Sequence, residues 1–443
     1  MKTPIFDFVK EYAENNPVRF HMPGHKGKLY LGPEPYDITE ISGADNLYSA
    51  EGIIAESEEN ATRLFGTAHT FYSAEGSTLA IKAMLALAVS GKKNATVLAA
   101  RGAHKSFIYA AALLDIDVKW IYGISNHICS SLLSVDDVIR ALDEEKDASA
   151  LYITSPDYLG NIADIKGIAE ACHKRGIQLL VDNAHGAYLR FLSPSSHPIA
   201  LGADMCCDSA HKTLPVLTGG AYLHISENAS KEYISSARNI LSVFASTSPS
   251  YLILQSLDLC NAYLDNGYKE RLLILVNKLD GIKARLRKTG YCVLESEPLK
   301  IVIAANEYGY TGQEIASHMR EDNIEVEFFD DEYLVLMVTE QNSDSDFELL
   351  EKSLSKLKKK NPVERYISNS ITCSECRMSI RDAMFAKRKL VAVSEAVGKI
   401  CASPTVSCPP AVPIAVSGEL ITQEMIVLFE KYNIKYVEVV DND

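Results

Sequence analysis

An alternation running through the middle of the chain constrains its fold more than any other feature. Short apolar runs at residues 95–100, 150–154, 177–181 and 221–225 alternate with stretches of helical periodicity such as 165–174. That rhythm is the signature of an α/β architecture, a mainly parallel sheet wrapped by helices. Ligands in such sheets gather beyond the C-terminal ends of the strands. The residues just after each apolar run are therefore the first candidates for chemistry.

Two of them carry suitable groups. Asp182 follows the run at 177–181, and Lys212 stands in Asp-Ser-Ala-His-Lys at the end of another apolar stretch. Further back, Gly76, Ser77 and Thr78 open a helical pattern that continues through 79–89. An amine can form an imine with a carbonyl once its surroundings lower its pKa. A carboxylate beside a pyridine nitrogen keeps that nitrogen protonated, and the charged ring then acts as an electron sink. Free N–H groups at a helix start bind phosphate without a basic side chain. Amine, carboxylate and phosphate cradle together fit pyridoxal 5'-phosphate. Taken singly, each has a plainer reading: a solvated loop lysine, a helix-capping aspartate, a capping Ser-Thr pair.

Six segments, in order, resemble the motifs of the Orn/Lys/Arg decarboxylase family of fold type I pyridoxal phosphate enzymes. They are FHMPGHKG (20–27), AEGSTLAIKAM (74–84), RGAHKS (101–106), VDNAHGAYLRF (181–191), DSAHKTLPVLTGGAYLH (208–224) and STSPSYLILQSLD (246–258). The resemblance implies that Lys212 holds the cofactor covalently and that Asp182 pairs with the pyridine nitrogen. By the same resemblance Ser77, Thr78, Ser209 and His211 contact the phosphate, and His104 stacks on the ring. His185 lies near the ring's phenolic oxygen, although a purely structural histidine is the plain alternative. It also implies that Ser246 or Thr247 reaches the phosphate of a neighbouring subunit, so a homodimer with shared active sites is expected.

The implied reaction is decarboxylation of arginine, lysine or ornithine to the corresponding amine. The scissile bond is held perpendicular to the ring, and His104, Lys212 or a group on the arm returns the proton. Glu419 is the expected partner of the substrate's side-chain cation. The chain departs from the family pattern at Asn183, often glutamate in relatives. It departs again in CPPAVPIAVSGELIT (408–422), where Cys408, Ala411 and Ser417 replace tyrosine, glycine and proline. Another fold type I reaction, such as transamination or β-elimination, and a catalytically idle regulatory relative remain open alternatives.

Composition adds bounds. At 443 residues the chain exceeds one core. Its 44 basic and 58 acidic side chains give a net charge of −14, which argues against nucleic acid and favours a cationic ligand. No stretch reaches the eighteen or so apolar residues of a membrane span, and no leader is evident, so a cytoplasmic enzyme is expected. The ten cysteines are then expected to be thiols. No metal site is expected: Cys373 and Cys376 form a lone CxxC, Cys206 and Cys207 read as core, and Pro23 and Gly24 break any helix between His21 and His25. No nucleotide-binding loop is present.

Four regions are expected: an arm and loop at 1–55, the cofactor-binding large domain at 56–262, a small α+β domain at 263–362 and a C-terminal domain at 363–443. A helical stretch near 268–288 leads into the small domain's α+β unit, with strands near 300–304 and 333–338. The basic run 352–360 reads as a helix end. Ser379, Ser394 and Thr422 read as N-caps of short helices. The chain lacks room for an N-terminal wing domain, so ring assemblies built through one are not expected.

Overall fold

The computed structural model describes residues 1–123, 127–130, 132–363, 373–406 and 412–441. Its central sheet has seven strands: β1 (His69–Ser73), β2 (Thr96–Ala100), β3 (Asp117–Ile121), β4 (Ala150–Thr154), β5 (Gln178–Asp182), β6 (Met205–Asp208) and β7 (Ala221–Ile225). Their order is β1-β7-β6-β5-β4-β2-β3. The run from β6 to β3 is parallel, and β7 lies antiparallel between β1 and β6. The expected α/β architecture is the one observed.

Alternate side chains of each inner strand serve opposite helical layers, so both faces must be apolar. Tyr152 and Leu180 point into one layer with Leu79, Met84 and Phe107. Leu151, Leu179 and Val181 point into the other with Val138, Leu142 and Ile168. The edge strand β3 instead exposes Asp117 and Lys119, ion-paired at 3.0 Å, charges that discourage further strand pairing.

The helix Tyr268–Lys288 leads into a four-stranded antiparallel sheet. Its strands are β8 (Cys292–Val293), β9 (Lys300–Ala304), β10 (Phe328–Phe329) and β11 (Tyr333–Met337), in the order β10-β11-β9-β8. Beyond it come two small pairings: β12 (Arg388–Ala392) with β15 (Tyr436–Val440), and β13 (Thr405–Val406) with β14 (Pro413–Ala415).

Several local expectations are corrected. The first 55 residues are not only arm and loop, because Pro4–Glu14 is a helix with Ile5 and Val9 in the large core. Its start is held by Asp258, whose carboxylate accepts from the N–H groups of Ile5 (2.9 Å) and Phe6 (3.0 Å), two donors with no partner inside the helix. Ser379 and Thr422 do cap helices, accepting from Asp382 N and Met425 N. Ser394 does not: it lies within the 3-10 turn Val393–Glu395. The basic run 352–360 does end a helix: Lys352 lies in the last turn of Asp344–Ser355 and Lys356 is its C-cap, paired with Asp322 at 2.5 Å. Cys408 and Ala411 lie outside the described residues.

Candidate active site

A cavity of about 330 Å³ opens at the C-terminal ends of β4, β5 and β6. Lys212, Asp182, His104, His185 and the Gly76–Thr78 turn all line it. Residues spread over more than a hundred positions of sequence thus share one space.

Lys212 sits in the one-turn helix Ala210–Thr213 directly after β6. Its Nζ lies 3.1 Å from Nε2 of His185. Burial lowers the pKa of Lys212 from its ordinary 10.5, with Asp182 and Glu327 opposing that shift. Burial, followed by the charge of Lys212, also holds His185 well below the usual histidine range. His185 is therefore a neutral acceptor for the lysine, and its buried Nδ1 has no protein partner.

Asp182 ends β5 and is 2% exposed. Its carboxylate accepts from Tyr152 Oη at 3.1 Å and from the Ala184 N–H at 3.2 Å. Those donors keep an anion tolerable at this depth. His104 caps the helix Lys105–Leu114 by accepting from the Ser106 N–H at 3.2 Å through Nδ1. That bond fixes the neutral tautomer with its proton on Nε2. Burial lowers the His104 pKa to about 4.

The far end of the cavity is a hydroxyl-rich cradle. Gly76 adopts φ +70, a left-handed conformation, and its N–H donates to Gly219 O at 2.7 Å as the helix Gly76–Ala88 begins. A Cβ built on Gly76 meets nothing within 4 Å, so the demand for glycine there is conformational. Ser209 Oγ donates to Ser77 Oγ at 2.9 Å, and Thr78 Oγ1 lies 2.9 Å from Ser106 Oγ. With the free N–H groups of a helix start, these hydroxyls suit a phosphate. His211 lines the same cavity and is anchored to Gly220 O at 3.0 Å through Nδ1.

Two expected site residues lie elsewhere. Thr247 is exposed on the segment between two helices, whereas the neighbouring Ser246 N–H donates to Glu75 Oε1 at 2.6 Å, beside the Gly76 turn. Glu419 does not line this cavity. It is 2% exposed and lies 3.0 Å from Arg101, and it also accepts from the Val416 N–H at 2.8 Å. A buried guanidinium has taken the carboxylate that sequence reasoning assigned to the substrate.

The cavity also holds acidic and aromatic groups that the sequence did not single out. Asp157 and Tyr158 follow β4, and Glu327 precedes β10; all three line the cavity. Tyr158 Oη donates to Glu327 Oε1 at 2.6 Å, which joins the central sheet to the smaller one across the opening. Position after a strand could have flagged Asp157 and Tyr158. Glu327 carries no such signal, because only tertiary packing brings the small sheet to this opening.

Comparison with known proteins agrees with this geometry. A model of the Orn/Lys/Arg decarboxylase major domain matches residues 3–294. The arginine decarboxylase of Halalkalibacterium halodurans is 31% identical, across 98% of this chain and 94% of its own length. That of Bacillus subtilis is also 31% identical, across 96% and 92%. The crystal structure of Francisella novicida lysine decarboxylase superposes with a TM-score of 0.81 at 17% identity, covering 99% of this chain and 81% of that one. The same fold extends at a TM-score of 0.56 and 16% identity to a Nostoc alanine–glyoxylate aminotransferase, over 69% and 86% of the two chains.

Proposed function

The chain belongs to the Orn/Lys/Arg decarboxylase family, and from that premise we propose that it decarboxylates arginine to agmatine with pyridoxal 5'-phosphate held at Lys212. One observation carries the cofactor reading: a half-buried lysine, a hydrogen-bonded carboxylate and a hydroxyl-lined helix start share one cavity. The donor set fits the group. Ser77, Thr78, Ser209 and His211 would hold the phosphate, Asp182 the ring nitrogen, and the unpartnered Nδ1 of His185 is available to the ring's oxygen. When bound, pyridoxal phosphate supplies an aldehyde for the substrate amine and a ring that accepts the electrons released as carbon dioxide departs.

The protein's own groups do the rest. Lys212, with a lowered pKa, offers a neutral amine more readily than an exposed lysine does. Asp182 accepts from Tyr152 Oη, the Ala184 N–H and Cys207 Sγ, a set of donors that orients its carboxylate for a protonated ring nitrogen. His104 lines the cavity with an imidazole whose pKa is lowered by burial and whose Nδ1 accepts from the Ser106 N–H. Glu327, at the opening and braced by Tyr158, is the carboxylate placed to meet the substrate's side-chain cation. Arginine is placed first because the 31% identical relatives that span nearly the whole chain are arginine decarboxylases.

We also read the working unit as a homodimer. Val18, Phe20, Tyr30 and Leu31 are 83%, 95%, 90% and 83% exposed on one segment, an apolar arm that a second copy would cover. Ser246 and Thr247 would then act toward the neighbouring cofactor.

The test is carbon dioxide release from arginine, lysine and ornithine, with a Lys212→Ala control and the cofactor's near-visible absorbance recorded for both proteins. Turnover of arginine above the other two, lost together with the absorbance band in the variant, is the expected result. If the band is present but none of the three amino acids is turned over, the decarboxylation reading is wrong while cofactor binding stands.

A further inference from the structure

Behind the strand that delivers Lys212 lies a second cluster of chemically capable side chains. Cys206 and Asp208 alternate on β6 and so share one face. His224 of β7 is the register partner of Cys206. His197 arrives from the loop before the turn Pro198–Leu201. His197 Nε2 and His224 Nε2 lie 3.0 and 3.1 Å from Asp208 Oδ2, and Cys206 Sγ lies 3.9 Å from His197 Nε2. One ligand atom from each of the four lies within 4.8 Å of every other, and all four residues are buried.

We propose that His197, Cys206, Asp208 and His224 form a structural binding site for a divalent cation of the zinc class. Two imidazole nitrogens, a thiolate and a carboxylate oxygen are the donors zinc takes, and four of them close a tetrahedron. Bonds of about 2.0 to 2.3 Å to one centre place ligand atoms roughly 3.2 to 3.8 Å apart, so the widest pair closes by up to about 1 Å to accept an ion. Charge favours it as well: one thiolate and one carboxylate neutralise a dication where no water can.

The surroundings resemble the outer shell of a metal site. The second carboxylate oxygen of Asp208 accepts from Asn183 Nδ2 at 2.6 Å, and His224 Nδ1 lies 2.8 Å from Thr70 Oγ1. The Phe65 ring packs on both imidazoles, with centroids 4.5 Å from His224 and 5.8 Å from His197. An ion here would pin β6 to β7 and to the 193–198 loop, directly beneath Ser209 and Lys212. The ligand positions follow no short spacing motif, which is why the sequence alone gave no sign of them.

The experiment uses the intact purified enzyme, expressed in zinc-supplemented medium and passed over a chelating resin before elemental analysis. The expected result is one zinc per chain in the wild type and a several-fold loss in Cys206→Ser. Cobalt-grown wild-type protein should show a thiolate-to-cobalt charge-transfer band that Cys206→Ser lacks. Wild-type protein with neither retained zinc nor a cobalt band overturns the proposal and leaves a hydrogen-bonded Asp-His-His cluster. Equal metal content in the variant overturns it too. Should Cys206→Ser fail to fold, the wild-type metal content and cobalt spectrum decide alone. The outcome is independent of which amino acid is decarboxylated.

Discussion

Arg101 and Glu419 meet at 3.0 Å with each side chain only 3% exposed, joining the end of β2 to the C-terminal segment. Arg101 also donates to Pro413 O at 2.9 Å and to Ile414 O at 3.2 Å. Glu419→Ala leaves a guanidinium buried without its countercharge, a loss of about 3–5 kcal/mol. A clearly lowered Tm is expected, with KM for the amino acid unchanged in the protein that remains folded. A rise in KM at unchanged Tm would restore Glu419 to the substrate.

Glu327 is expected to behave in the opposite way. Glu327→Gln removes a charge at an exposed position, so Tm should hardly move. The lost charge-assisted contact is worth about 1.5–3 kcal/mol, or roughly a 10- to 100-fold rise in KM for arginine. Steady-state kinetics on the variant, beside a melting curve, separate the two effects. An unchanged KM would remove Glu327 from substrate recognition.

His104 gives a pH signature. Burial lowers its folded-state pKa from the ordinary 6.5 to about 4. Between those values the unfolded chain binds a proton that the folded one refuses, so this residue makes stability rise with pH from 4 to 6.5 and contributes no slope above. His104→Gln should therefore flatten the dependence of Tm on pH within that window. An identical acid limb in the variant would mean that the imidazole is not held neutral.

The apolar arm makes a prediction about assembly. Phe20→Ser with Leu31→Ser replaces two side chains that are 95% and 83% exposed, so the fold of the single chain should survive. Sedimentation at micromolar concentration should then show a shift from dimer to monomer, with activity falling in parallel. A wild type that is already monomeric and fully active would exclude a shared site.

Much of this was legible one residue at a time. The runs at 150–154 and 221–225 are strands over those very residues, because inner strands buried on both faces must be apolar throughout and little else in a chain is. The helix Tyr268–Lys288 was likewise readable from its periodicity. Ser394 failed because a capping residue signals a helix start only if apolar residues follow at helical spacing, and after it the chain turns back at once.

The sequence by itself determined the local order: which segments become strands, which polar residues stand at their ends, and hence that Lys212, Asp182 and the Gly76–Thr78 turn face one opening. Those features depend on periodicity and on backbone groups close in the chain. Tertiary structure alone decided where the charges went. Glu419 found Arg101 from 318 positions away, while Glu327 came to the cavity on a separate sheet. An acidic side chain costs too much to bury alone, so its partner is set by which distant cation or donor the fold brings within reach, and no local pattern records that.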